Sequence, residues 1–189
     1  MDSAPRYSDY TLEELYDALE HIEHDKYPER VERMILLDAA GFLFVPPLAL
    51  VSWGLPLGGW VAENTNPPKS LVSKLIRQAY ANGERASEEE LTRYYEMMLR
   101  PGNREGGSQV VQFVRNRLGF DTACLKELQI PTLVMWGEQD KWIPIRHTKN
   151  FKKALPNCQV ITYSDCGHMP MEEKPELSAA DAATFLLAQ

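Results

Sequence analysis

The sequence predicts an α/β protein with a short parallel sheet of about three strands and an inserted helical segment. Three runs indicate the strands, at 34–37, 131–136 and 159–163. The first two contain consecutive apolar residues, which is typical of parallel strands covered on both faces. Residues 42–122, between the first and second runs, show helical periodicity instead. This order of elements predicts an α/β sheet whose first strand is followed by a large helical insertion.

The chain divides into three predicted segments. Residues 1–41 hold an N-terminal helix, opened by a capping box at Thr11–Glu14, and the first remaining core strand. Residues 42–122 form a helical cap or lid, in which Ser87–Glu90 is a second capping box and a last helix is expected from Val110 to Leu118. Residues 123–189 complete the core.

The last segment ends in a predicted helix that follows the third strand. Pro175 lies at the predicted start of this helix, a position that favours proline. The residues expected to pack against the sheet are Leu177, Ala180, Ala183 and Phe185 to Leu187.

Composition excludes several classes of partner. The chain has 189 residues, 44% of them apolar, which is enough for one domain with a core. Its net charge of −7 and the lack of a basic stripe argue against nucleic acid. Cys124, Cys158 and Cys166 show no paired spacing, so reduced thiols in a cytoplasmic protein are expected. Met1 leads into polar sequence, with no predicted signal peptide.

One uncharged stretch, from Ala39 to Ala62, is long enough to span a membrane. It contains Pro46, Pro47, Pro56 and several glycines, which disfavour a continuous helix. We expect an apolar lid or substrate wall here and no membrane span.

Two polar side chains follow the second and third strands. Gly137 ends the second strand and Asp140 comes three residues later, while His168 lies in the turn after the third strand. Because the carboxyl ends of parallel strands meet at one edge, these side chains are expected there together. A histidine oriented by an aspartate forms two-thirds of a nucleophilic triad.

The run from Pro131 to Asp140, the Gly167-His168 pair and the helix after Pro175 resemble the C-terminal part of an α/β-hydrolase. The turn from Tyr27 to Val31 and the strand at 34–37 also resemble that family, at the strand before its cap. The resemblance implies that Asp140 is the acid and His168 the base of a Ser-His-Asp triad. It implies no metal or organic cofactor, since triad chemistry needs none.

The same resemblance exposes a departure, because no Gly-x-Ser-x-Gly elbow occurs in the chain. His21-Ile22 passes to Tyr27-Pro28 within a few residues, where the family places the nucleophile strand and its helix. The early strands that supply an oxyanion-hole N–H are also expected to be missing. The predicted fold is therefore a truncated α/β-hydrolase with no nucleophile.

Other residues compete for the catalytic roles. Asp38 is the alternative acid, since it also follows a strand end. Ser52 and Ser108 each have only one of the two glycines of an elbow, and both fall in the cap. Cys166 lies two residues from His168, but neighbouring sequence alone does not create attack geometry. Glu138 and Trp142 are expected to shape the loop around Asp140.

Two functions remain open at this point. The first is a hydrolase of esters or related bonds in hydrophobic small molecules, such as a C–C bond next to a carbonyl, which is impaired or inactive as this chain. The second is a non-catalytic remnant or binding module that retains the cap pocket. The apolar first strand would leave an open sheet edge, which favours pairing into a homodimer.

Overall fold

The computed structural model describes residues 31–42, 44, 55–116 and 123–188. It contains a three-stranded parallel sheet of strands β1 (Met34–Leu37), β2 (Thr132–Gly137) and β3 (Cys158–Tyr163), in the order β1-β2-β3. Leu36 pairs with Val134, which in turn pairs with Val160. The predicted α/β fold with a short parallel sheet is confirmed.

The helices of the described residues fall into two groups. Four lie between β1 and β2: α1 (Pro56–Asn64), α2 (Lys69–Ala79), α3 (Glu88–Leu99) and α4 (Asn103–Asn116). Three accompany the later strands: α5 (Arg146–Ala154), α6 (Pro170–Glu173) and α7 (Pro175–Leu187). Short 3₁₀ turns occupy Gly83–Arg85 and Ala123–Lys126.

Strand β2 is the centre of the core, since all six of its residues are buried. Val134 and Trp136 face one side and pack with Phe151 of α5. Leu133 and Met135 face the other side, in a cluster with Phe185 of α7. The alternation of a strand thus sends neighbouring apolar residues into two separate layers, which explains the continuous apolar run.

In the helical segment, the predicted start of α3 is correct and the predicted start of α4 is not. Ser87 caps α3 in a complete capping box, where its hydroxyl accepts the Glu90 N–H and the Glu90 carboxylate accepts the Ser87 N–H. Helix α4 begins at Asn103, well before Val110. Its early turns contain Gly106 and Gly107, and their weak helix propensity is the reason that the sequence predicted a later start for this helix. Ser108 is fully buried there, so packing outweighs propensity.

The final helix contacts the sheet through fewer residues than expected. Phe185 is buried, but Leu177, Leu186 and Leu187 are 53%, 52% and 80% exposed. Ala180 and Ala183 are exposed too, so the prediction that these five residues pack against the sheet was wrong. The reason is that α7 turns a narrow face to the sheet, through Phe185 and Ala182.

No helix among the described residues is long and apolar enough to cross a membrane. The predicted helix at Thr11, and residues 43 and 45–54 of the uncharged stretch from Ala39 to Ala62, lie outside the described residues. Cys124 falls in the 3₁₀ turn before β2.

The ends of β2 and β3 approach each other through two glycines. A Cβ on Gly137 would overlap the carbonyl oxygen of Gly167 and lie 2.6 Å from that of Cys166. The Gln139 N–H donates to the same Cys166 carbonyl, at 2.8 Å. Both contacts involve backbone, which cannot rotate away as a side chain can. The loops that follow the two strands are therefore held together at a distance that excludes any side chain.

We predict that Gly137→Ala destabilises the fold by about 3 kcal/mol, because its methyl group must displace backbone in a packed site. Gly106→Ala in α4 is the matched control, since a Cβ there meets nothing within 4 Å. It should be neutral or stabilise by up to about 1 kcal/mol through helix propensity. Urea unfolding of both variants measures the difference, and equal unfolding midpoints would contradict the close approach.

Candidate active site

Asp140 is fixed in the loop after β2 by the backbone that follows it. Its Oδ1 accepts the N–H groups of Trp142 and Ile143, at 2.7 and 3.0 Å. This leaves Oδ2 for another partner, and Oδ2 lies 2.9 Å from Nδ1 of His168. The Asp140 side chain is fully buried, whereas that of His168 is 21% exposed. The arrangement fixes the direction of the carboxylate before any ligand binds.

His168 is held in the loop after β3 by contacts with the helical segment. Its backbone N–H donates to the carbonyl oxygen of Ala79, at the end of α2, over 2.6 Å. Its ring lies against the indole of Trp142, with 5.0 Å between centroids and 33° between planes. The imidazole is thus restrained through its backbone, one face and Nδ1.

Restraint at Nδ1 has a chemical consequence for the rest of the ring. A carboxylate that accepts the Nδ1 hydrogen selects the tautomer whose Nε2 carries a free lone pair. Such an imidazole can take a proton from a hydroxyl nucleophile or from water. The structure therefore brings together Asp140 and His168, the two residues the sequence placed at one sheet edge.

Glu173 in α6 fastens the His168 loop to the helical segment, a role that the sequence analysis missed. Its carboxylate accepts the Gly167 N–H at 2.6 Å and the Ala81 N–H at 2.9 Å. The only signal in sequence was an acidic pair before Pro175, which does not identify a partner ninety residues away in the chain. Glu138 accepts the Thr162 hydroxyl at 2.9 Å, so it joins the ends of β2 and β3.

Asp38, the competing acid, lies beside the Asp140–His168 pair. It follows β1 with a left-handed φ of 42°, and it is only 3% exposed. Its Oδ1 accepts the Gly137 N–H at 3.0 Å, while Oδ2 is buried without a described partner. Burial is the main reason that its pKa rises to about 8, and the nearby Asp140 raises it further.

The three side chains form the one group of possible metal ligands found among the described residues. One ligand atom each from Asp38, Asp140 and His168 lies within 4.8 Å of the others. The Asp140–His168 hydrogen bond already occupies Nδ1 and Oδ2, so a metal bound by both of these atoms would have to replace it. The geometry therefore fits an acid–base pair more closely than a metal centre.

The candidate nucleophiles do not occupy an elbow in the described residues. Ser108 is buried inside α4, where its hydroxyl accepts from Gln112 at 3.2 Å, and Ser52 lies outside the described residues. Cys166 is fully buried, and burial raises the pKa of its thiol to about 12. A thiol with such a pKa is almost entirely protonated at neutral pH, so Cys166 is a poor nucleophile.

An open groove of about 660 Å³ runs along α2. It is lined mainly by polar and charged side chains, among them Lys69, Lys74, Arg77 and Lys141. Neither Asp140 nor His168 is among the residues that line it, so this groove is separate from the pair they form.

We predict that Asp140→Asn keeps the loop but reverses the imidazole tautomer. The amide oxygen can still accept the Trp142 and Ile143 N–H groups, while the amide NH₂ now faces Nδ1. Nitrogen-15 NMR of the His168 ring should show the hydrogen moved from Nδ1 to Nε2. Unfolding free energy should change by less than about 1 kcal/mol.

Asp140→Ala is the comparison variant, because it also removes the acceptor of the two loop N–H groups. It should lose about 2 kcal/mol or more, the cost of leaving buried donors unpaired. An unchanged tautomer in Asp140→Asn would show that this carboxylate does not orient His168.

Known proteins resemble this chain in sequence and in fold. The family model for the alpha/beta hydrolase fold matches residues 18–175. Lipase 3 of Moraxella sp. (strain TA144) is 27% identical over 178 residues, covering 85% of this chain and 50% of the lipase. A cis-3-alkyl-4-alkyloxetan-2-one decarboxylase of Shewanella oneidensis is 26% identical over 166 residues, covering 78% and 50%. The chain thus spans about half the length of these relatives.

A solved structure resembles the whole described architecture. The meta-cleavage product hydrolase of Pseudomonas fluorescens IP01 superposes with a TM-score of 0.72 at 21% identity, covering 97% of this chain and 74% of that one. This likeness concerns the fold alone. With the family match over most of its length, the chain belongs to the α/β hydrolase fold family.

Proposed function

We propose that this chain descends from serine hydrolases of esters or related bonds in hydrophobic small molecules, and that its turnover is impaired as the chain stands. The observation that carries the proposal is the 2.9 Å contact between Asp140 Oδ2 and His168 Nδ1. In this proposal Asp140 orients the imidazole and His168 acts as the general base. The base would deprotonate a hydroxyl or a water molecule through Nε2.

Impairment follows from the missing nucleophile. The sequence contains no Gly-x-Ser-x-Gly, and the buried Ser108 lies within a helix instead of a strand-to-helix turn. Acyl transfer also requires backbone donors directed at the developing oxyanion. Without a nucleophile, an acid–base pair supports only a small residual rate.

The named relatives support the chemical class of substrate. One is a lipase and one acts on an alkyl-substituted oxetanone. From these names we infer only that the substrate of this chain is a hydrophobic small molecule with a carbonyl group. Trp142, which lies against His168, would supply an apolar surface beside the reacting bond.

The first test is intact mass after treatment with a serine-directed phosphonate, followed by peptide mapping. We expect no adduct from protein shown to be folded by circular dichroism, because no serine is activated. His168→Ala is the control that separates activated serines from background labelling. A single adduct that disappears in this variant would overturn the proposed impairment and identify the nucleophile, with Ser52 and Ser108 the first peptides to inspect.

A second candidate is a non-catalytic binding module. The observation that favours it is the groove along α2, which the helical segment keeps apart from Asp140 and His168. A ligand bound there would need no nucleophile. The free, buried thiols of Cys158 and Cys166 accord with a reduced, cytoplasmic protein in either case.

We also propose that two copies pair along β1. Among the described residues this strand pairs only with β2, and all four of its residues are only half-buried. A second strand at this edge would satisfy its outward N–H and C=O groups. Sedimentation velocity over a hundredfold concentration range should then show a monomer–dimer equilibrium, and a monomer at every concentration would contradict the pairing.

A further inference from the structure

A buried carboxyl group beside the proposed acid–base pair has no function in the mechanism above. Asp38 Oδ2 has no hydrogen-bond partner among the described residues, although the residue is only 3% exposed. Its neighbour Asp140 already accepts three hydrogen bonds, from Trp142, Ile143 and His168. Two ionised carboxylates this close and this buried would repel each other strongly.

We propose that Asp38 is a positioning residue that keeps its proton in the folded chain and donates the Oδ2 hydrogen to the Asp140 carboxylate. This inference rests on the proposed function of the Asp140–His168 pair and deepens it. The hydrogen bond would leave Asp140 as the single charge of the site. It would also satisfy the Asp38 oxygen that is otherwise buried without a partner.

The two carboxyl oxygens of Asp38 have different surroundings. Oδ1 accepts the Gly137 N–H at 3.0 Å, which turns the carboxyl plane toward the end of β2. The cluster of Asp38, Asp140 and His168 brings one atom of each within 4.8 Å of the others. The left-handed backbone at Asp38 directs the side chain into this position, a conformation that aspartate and asparagine tolerate better than most residues.

The charged surroundings also favour the neutral carboxyl. Asp140 and Glu173 are the carboxylates that act on Asp38, and both raise its pKa. Cys166 and Tyr163 are further titratable neighbours, and Asp38 in turn raises the pKa of each. The Gly137 N–H is the main group that favours ionisation, and burial outweighs it.

The proposal predicts how stability changes with pH. The pKa of Asp38 rises from 3.8 in the unfolded chain to about 8 in the folded one. Between these values the folded chain holds a proton that the unfolded chain releases, so this residue's contribution to stability falls as pH rises. Asp38→Asn removes the titration but keeps both hydrogen bonds, with the amide oxygen facing Gly137 and the amide NH₂ facing Asp140.

The test is the melting temperature of the full chain and of Asp38→Asn from pH 5 to pH 8, in buffer with EDTA. We expect the melting temperature of the variant, relative to that of the parent, to rise by about 3 °C or more between pH 5 and pH 8. Asparagine at a left-handed position can itself change the melting temperature, but by the same amount at every pH, so the trend with pH is unaffected.

Asp165→Asn is the matched control. Asp165 also has a left-handed φ, of 53°, and follows a strand, but it is exposed and its hydrogen bond with Arg85 lowers its pKa. It is ionised in both states throughout the range, so its offset from the parent should not change between pH 5 and pH 8.

Three results would overturn the proposal. A constant or shrinking difference for Asp38→Asn would show that Asp38 is ionised in the fold. Failure of this nearly isosteric neutral variant to fold would show that the negative charge is required. A melting temperature raised by Zn²⁺ or Mn²⁺ in the parent but not in the variant would show that a cation neutralises the pair. None of these readings needs turnover, so they are independent of the phosphonate experiment.

Discussion

The contact between the ends of β2 and β3 is the constraint on which the site depends. Gly137 lies so close to the Gly167 carbonyl that it has no room for a side chain. Gly167 has none either, because a Cβ there would overlap the Ala79 carbonyl oxygen and lie 2.6 Å from the Ala81 nitrogen. Asp140 follows one of these glycines by three residues, and His168 follows the other directly. Their 2.9 Å hydrogen bond is therefore set by backbone packing beneath them and not by the attraction of the two side chains alone.

Backbone N–H groups are the hydrogen-bond partners of several carboxylate oxygens around this contact. Asp140 is held by two N–H groups of its own loop, and Gly167 donates to Glu173. Such bonds are made on folding, so the carboxylate and the imidazole need little rearrangement before a reaction. This is the preorganisation that makes fixed dipoles effective in enzymes. The proposed acid–base pair has this property even though the sequence contains no Gly-x-Ser-x-Gly elbow.

Sequence reasoning succeeded where one local pattern decides the structure. The apolar run of β2, the capping box at Ser87 and the placement of Asp140 and His168 after parallel strands each depend on a few neighbouring residues. It failed where the outcome depends on partners distant in sequence. The start of α4 at Asn103 is set by packing that outweighs two glycines, and the exposure of Leu177 reflects which face of α7 meets the sheet. The link from Glu173 to Ala81 and the closeness of Asp38 to Asp140 belong to the same class.

The attachment of His168 to α2 has a consequence for communication within the chain. The backbone of the imidazole residue and the carbonyl of Ala79 share a hydrogen bond, and Lys141 donates to the Ala81 carbonyl in the following turn. Lys141 and α2 also line the groove that runs along this helix. A molecule that fills the groove and displaces α2 would therefore pull on both loops at once. A ligand in the groove would then also change the position of the imidazole.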